Sequence, residues 1–228
     1  PLAYARADGA TGGLDDRLGV WRTDAVGCDF PLGTGAGLLP TVTRVHLATG
    51  IQRSNYPILI RVPEFGADGT RTGEHRFLGT FTSSGLHQTI LDVPVLQAKV
   101  VEVLRRSGAD EDSFIGQSII ELLQNYPLVE MFAADDDELT RRVDEMLDAV
   151  ATRTLRLFLR INTDGETGCA LVYLPRDRYN TGSRLALQNA LARRLEGSDL
   201  EYTARVSEMP LALLQVLVRV DPDTARRL

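Results

Sequence analysis

The sequence predicts an α+β protein in three consecutive parts: an antiparallel sheet, a run of helices, and a second antiparallel sheet that carries helices of its own. Three observations lead there. Short β-branched and apolar runs separated by turn residues fill residues 41–82. Apolar stripes at helical spacing, bounded by start and stop signals, fill residues 92–152. The last third then alternates strands and helices. Counted from the acidic helix before it, its order is α-β-β-α-β-β, a circular permutation of the ferredoxin-like β-α-β-β-α-β order, in which two helices cover one face of a four-stranded antiparallel sheet.

The elements follow in order. Residues 1–40 are rich in glycine and read mostly as loop. From Thr41 to Leu47 apolar and polar residues alternate, and Tyr56 to Val62 is a second strand-like run. Gly66-Ala67-Asp68-Gly69 supplies turn residues that tolerate positive φ, so Glu74 to Thr82 returns as the partner strand of a long hairpin. Asp92-Val93-Pro94 offers an N-cap and a first-turn proline ahead of Leu96, Val100, Val103 and Leu104, and Gly108 stops that helix. Ser113 caps a second helix, with Ile119, Ile120, Leu122 and Leu123, that halts before Pro127. Asp135 to Glu138 opens a third, because carboxylates complement the helix dipole at an N-terminus. Strands are expected at Leu155–Ile161, Cys169–Leu174, Leu200–Val206 and Leu211–Val220, with a turn at Asp164-Gly165 and a helix at Ser183–Leu195. Asp221-Pro222 repeats the helix-start signal and the sequence stops at Leu228, as a piece cut from a longer chain would.

Composition narrows the function classes. The chain has 228 residues, 43% hydrophobic and 25% charged, which is ordinary globular usage. At about 150 residues per domain it holds one large or two small domains. A net charge of −6 argues against nucleic acid and anionic membrane as partners. Two cysteines, Cys28 and Cys169, without C-x-x-C spacing make neither a disulfide framework nor a zinc motif, which fits a reducing cytoplasm. No apolar run has the length of a membrane helix. Of the 25 basic residues only Lys99 is a lysine.

Most candidate chemistry reduces to structure. Gly33-Thr34-Gly35-Ala36-Gly37 lacks the preceding strand and the following ribose-binding acid of a dinucleotide loop. His46, His75 and His87 have no metal-ligand spacing. Thr82-Ser83-Ser84-Gly85 lacks the first glycine of a nucleophile elbow, and Cys169 sits in a strand as a small hydrophobe. The most informative segment is Leu174 to Thr181. It leaves a strand, carries Arg176, Asp177, Arg178, Tyr179 and Asn180, and ends where a helix presents free N–H groups. Such a segment suits a ligand carboxylate or a partner's acidic residue. It equally suits a turn in which Asp177 and Asn180 cap the helix and the arginines pair locally.

The segments LVYLPRDRYNT (171–181), GEHRFLGTFTSS (73–84), DVPVLQAKVVEVLRRSG (92–108) and LLQNYPLVEMF (122–132) resemble the N-terminal regulatory portion of the bacterial large NAD-specific glutamate dehydrogenases, over roughly residues 41–220. The resemblance implies a PAS-type sheet domain with its Gly-rich start at residues 1–91, a helical connector at 92–137, and an ACT-like domain at 138–228. It implies a regulatory, non-catalytic segment that senses an amino acid or makes subunit contacts, or else a purely structural assembly segment without a ligand. An effector would meet Arg176 and Arg178 through its carboxylate, and Asn180 and Thr181 would fix its orientation. The family's catalytic lysine and aspartate and its NAD-binding domain lie outside these residues, so no activity, metal or cofactor is expected of the segment. The implied parent oxidises L-glutamate with NAD, and the implied partners are the remaining domains of that chain and further copies of it.

Overall fold

The computed structural model describes residues 3–8, 14–19, 40–45, 56–162 and 167–227. The Gly33–Gly37 loop, Cys28, His46 and the turn at Asp164-Gly165 lie outside the described residues. The chain divides into two compact units, Pro1–Val45 with Pro57–Gln88, and His46–Tyr56 with Thr89–Leu228.

In the first unit, β1 (Ala3–Asp8), β2 (Leu14–Gly19), β3 (Thr41–Arg44), β4 (Ile58–Phe65) and β5 (Arg71–Gly79) form one antiparallel sheet in the order β2-β1-β5-β4-β3. The β4–β5 hairpin is the expected one, turned by Gly69 at φ +78°. The first two strands correct the reading of residues 1–40 as loop. β1 alternates buried Ala3, Ala5 and Ala7 with half-buried Tyr4, Arg6 and Asp8, a strand period written in a small residue that hydrophobicity underweights. A single turn of helix, α1 (Ser83–Leu86), follows, with the Thr82 hydroxyl accepting from Gly85 N–H at its start.

The second unit opens with helices α2 (Pro94–Ser107), α3 (Phe114–Gln124), α4 (Leu128–Ala133) and α5 (Asp136–Thr152). Pro94 stands in the first turn of α2, but the N-cap is Val93, and Asp92 ends a 3-10 turn instead of capping. Ser113 and Asp135 cap α3 and α5 as expected, accepting from Gly116 N–H and Glu138 N–H. α4 was not expected; Pro127 ends one helix and starts this next one. At the end of α2, Arg105 and Arg106 both donate to the Glu102 carboxylate and hold its pKa down to about 2 from the ordinary 4.5. A depressed carboxylate stabilises above its unfolded-state pKa and stops doing so only as pH falls through the folded value. An NMR titration of the Glu102 carboxyl is therefore expected to centre near 2, and a midpoint in the ordinary range would remove these contacts from solution.

Strands β6 (Arg156–Ile161), β7 (Thr167–Pro175), β8 (Ser198–Arg205) and β9 (Leu211–Arg219) build the second sheet, antiparallel throughout and ordered β6-β7-β9-β8. β7 and β8, joined by helix α6 (Thr181–Arg194), are parallel with β9 between them, which is the split β-α-β arrangement. Asp221 caps a last turn, α7 (Pro222–Ala225), accepting from Asp223 and Thr224 N–H.

The element order matches the expectation, but the layering does not. α5 packs with α2–α4 on one face of the sheet, where Leu139, Val143, Met146 and Ala149 share a core with Phe158, Leu171, Tyr173 and Leu213. α6 packs on the other face, where Leu191 and Leu195 meet Ala170, Val172, Leu214 and Val216, and Val220 and Ala225 join that layer. The two helices thus lie on opposite faces, not on one. β7 is buried at every position and β9 at all but Arg219, so each needs a cover on both sides, and one helical layer cannot supply it.

Candidate functional site

The segment singled out in the sequence is a corner of the second sheet. β7 ends at Pro175, opposite Leu211 of β9, and Arg176 N–H donates to the Pro210 carbonyl at 2.9 Å. Arg176–Arg178 make one 3-10 turn closed by Tyr179 N–H on the Arg176 carbonyl. Asn180 then caps α6 reciprocally: its side-chain oxygen accepts from Ser183 N–H and its own N–H donates to the Ser183 hydroxyl, both at 2.9 Å.

These local bonds divide the four candidate residues. Asn180 is committed to the cap. Arg176 donates to the Ser207 carbonyl at 3.1 Å and stands 3.5 Å from the Glu208 carboxylate. Asp177 pairs with Arg153 at 2.7 Å rather than capping α6. Arg178 and Thr181 are exposed at the start of the helix, and Arg178 has no hydrogen bond or ion pair among the described residues. The corner therefore offers one guanidinium, one hydroxyl and the first N–H groups of a 14-residue helix. Among the described residues there is no metal-binding cluster, and no helix is long and apolar enough to cross a membrane.

Sequence reasoning missed a second polar feature, buried where the helices meet the sheet. Glu130 of α4 is 1% exposed, and Arg160 of β6 donates to its Oε2 through Nε at 2.9 Å and Nη2 at 2.7 Å. Arg160 Nη1 also donates to Asn162, which fixes the guanidinium plane. Arg142 of α5 donates to the Tyr126 hydroxyl at 2.6 Å and to Glu138, and lies over the Phe158 ring at 5.4 Å. Burial pushes the Tyr126 and Tyr173 phenols well above the ordinary tyrosine range, so both stay neutral in this seam; Tyr126 accepts from Arg142, and the Tyr173 hydroxyl has no hydrogen-bond partner among the described residues. The signal was Glu130 itself, an acid inside the apolar run Leu128–Phe132.

Comparison with known proteins assigns both halves of the second unit. Residues 93–150 match the helical motif 1 family of glutamate dehydrogenase, and residues 156–228 match its ACT2 domain family. The NAD-specific glutamate dehydrogenase of Pseudomonas aeruginosa is 36% identical over 174 residues, covering 76% of this chain. The chain belongs to the large NAD-specific glutamate dehydrogenase family. It corresponds to part of the N-terminal region. The Mycobacterium tuberculosis enzyme of the same name is 33% identical over 182 residues, or 80% of the chain, and the Halomonas elongata one 32% over 173 residues, or 76%. The chain spans about 11% of the length of each of these three relatives. The Arg176–Thr181 corner falls within the ACT2 match, and Glu130 and Arg160 fall on either side of the junction between the two matched families.

Proposed function

We propose that this chain is a non-catalytic regulatory segment of an NAD-dependent glutamate dehydrogenase, whose full-length form converts L-glutamate, NAD and water to 2-oxoglutarate, ammonia and NADH in the cytoplasm as a homo-oligomer. The observation that carries this reading is the single core shared by α2–α5 and one face of the second sheet, tied by the Glu130–Arg160 pair. An effector event at the ACT-like sheet then reaches the helices without crossing a solvated joint. The first unit is read as the PAS-type domain, supported by its five-stranded antiparallel sheet. The helical connector extends through α5 to Thr152 and the ACT-like domain begins at Arg156, a division supported by the matched ranges and by α5 and α6 covering opposite faces.

The effector is an amino acid whose carboxylate meets Arg178, Thr181 and the α6 N-terminus, with Arg176 and Asn180 shaping the corner. Isothermal titration with the twenty amino acids tests this. Saturable heat from one of them is expected, weakened at least about tenfold in Arg178→Ala, the equivalent of about 1.5 kcal/mol for a hydrogen bond to a charged group. Unchanged affinity in that variant excludes the corner. The local bonds of Arg176, Asp177 and Asn180 favour a second reading, in which the corner is an assembly clamp without a ligand. A thermal melt flat across the amino-acid panel selects it, because a bound ligand raises apparent stability by mass action.

A further inference from the structure

The first unit holds a buried charged cluster that neither the helical motif nor the ACT-like sheet accounts for. β5 places Glu74, Arg76 and Leu78 on one face of its sheet, and the register sets Arg76 between Ala5 of β1 and Arg61 of β4. Glu74 is fully buried and Arg76 is 2% exposed. The Glu74 Oε1 accepts from Arg76 Nε at 2.7 Å and lies 3.9 Å from Arg61 Nε, while Oε2 accepts from Arg71 Nη2 at 2.5 Å. A guanidinium fork ordinarily takes both oxygens of one carboxylate. Here Arg71 holds the second oxygen, and Arg76 Nη2 is buried without a hydrogen-bond partner among the described residues.

A buried donor on a charged group is costly when unsatisfied, more so than a neutral one. An isolated alanine row lies beside it: β1 presents only Ala3, Ala5 and Ala7 to this face, side chains too short to reach over β5. We propose that the buried face of the first sheet is a second binding site, in which Arg76 holds a small carboxylate through the guanidinium edge that Glu74 leaves unused. Glu74 competes for the same guanidinium and sets the affinity. The site is independent of the Arg178 corner and stands or falls separately.

Hydrogen exchange on the 228-residue chain tests it, with acetate, L-glutamate, phosphate and chloride compared at equal ionic strength. Acetate or L-glutamate is expected to protect the β1 and β5 amides saturably, and chloride is not. Arg76→Gln should lose at least tenfold in affinity, whereas Glu74→Gln should gain, because the internal competitor is neutralised. The proposal is overturned by the absence of saturable protection at β5 from either carboxylate, by equal protection in Arg76→Gln, or by tighter binding of phosphate than of both carboxylates. If Arg76→Gln does not fold, unchanged or weaker affinity in Glu74→Gln overturns it. Protection by L-glutamate confined to residues 176–184 also overturns it, while supporting the ACT-side effector corner.

Discussion

Replacing Arg160 by alanine is expected to destabilise the second unit by about 3–5 kcal/mol, because it strands the Glu130 carboxylate in a position 1% exposed. Both Arg160 bonds to Glu130 go to Oε2, and Glu130 Oε1 has no hydrogen-bond partner among the described residues, so no other hydrogen bond holds the carboxylate once Arg160 is gone. The double variant Arg160→Met, Glu130→Leu removes both charges and keeps volume, and should recover most of the loss. Urea unfolding followed by hydrogen exchange at residues 128–161 measures both. A loss below about 1 kcal/mol in the single variant, the range of an exposed ion pair, would show that water reaches Glu130.

Leu171→Ala should cost about 2–5 kcal/mol, the usual range for emptying a well-packed leucine position. Leu171 is 1% exposed on the central strand β7 and belongs to the core that the sheet shares with α2–α5. The distribution of the loss matters as much as its size. If helices and sheet fold as one cooperative body, exchange in α5 and in β6–β9 should accelerate together. Acceleration confined to the strands would separate the two matched families into independently stable pieces and remove the basis for transmission between them.

Much of this fold was legible in the sequence, and the failures have physical causes. The helix starts at Ser113, Asp135 and Asp221 were readable because a capping side chain acts over three residues. β1 was unreadable by hydrophobicity because its inward side chains are all alanine, and α4 because Pro127 serves at once as stop and start. The layering was in fact written in Cys169–Leu174 and Leu211–Leu214. Uninterrupted apolar runs without strand alternation belong to strands buried on both faces, whereas the order of elements does not say which face each helix covers. At the candidate corner, sequence singles out a polar cluster but not the partners of its side chains. Arg176 bonds to Ser207 and Asp177 to Arg153, contacts spanning 31 and 24 residues that no local pattern encodes. The Glu130–Arg160 pair spans 30 residues and was hidden for the same reason.

The single lysine has a specific address. Lys99 of α2 donates to the Ala134 carbonyl, where α4 ends, at 2.6 Å, and its ammonium stands 3.6 Å from the Asp136 carboxylate at the start of α5. One flexible side chain thus staples three helices at their common joint, with only 15% of its surface open to solvent. In a chain whose other 24 basic side chains are guanidinium groups, an amine-selective acylating reagent has one side-chain target, so its rate of uptake at Lys99 becomes a chemical clock for how often that joint opens.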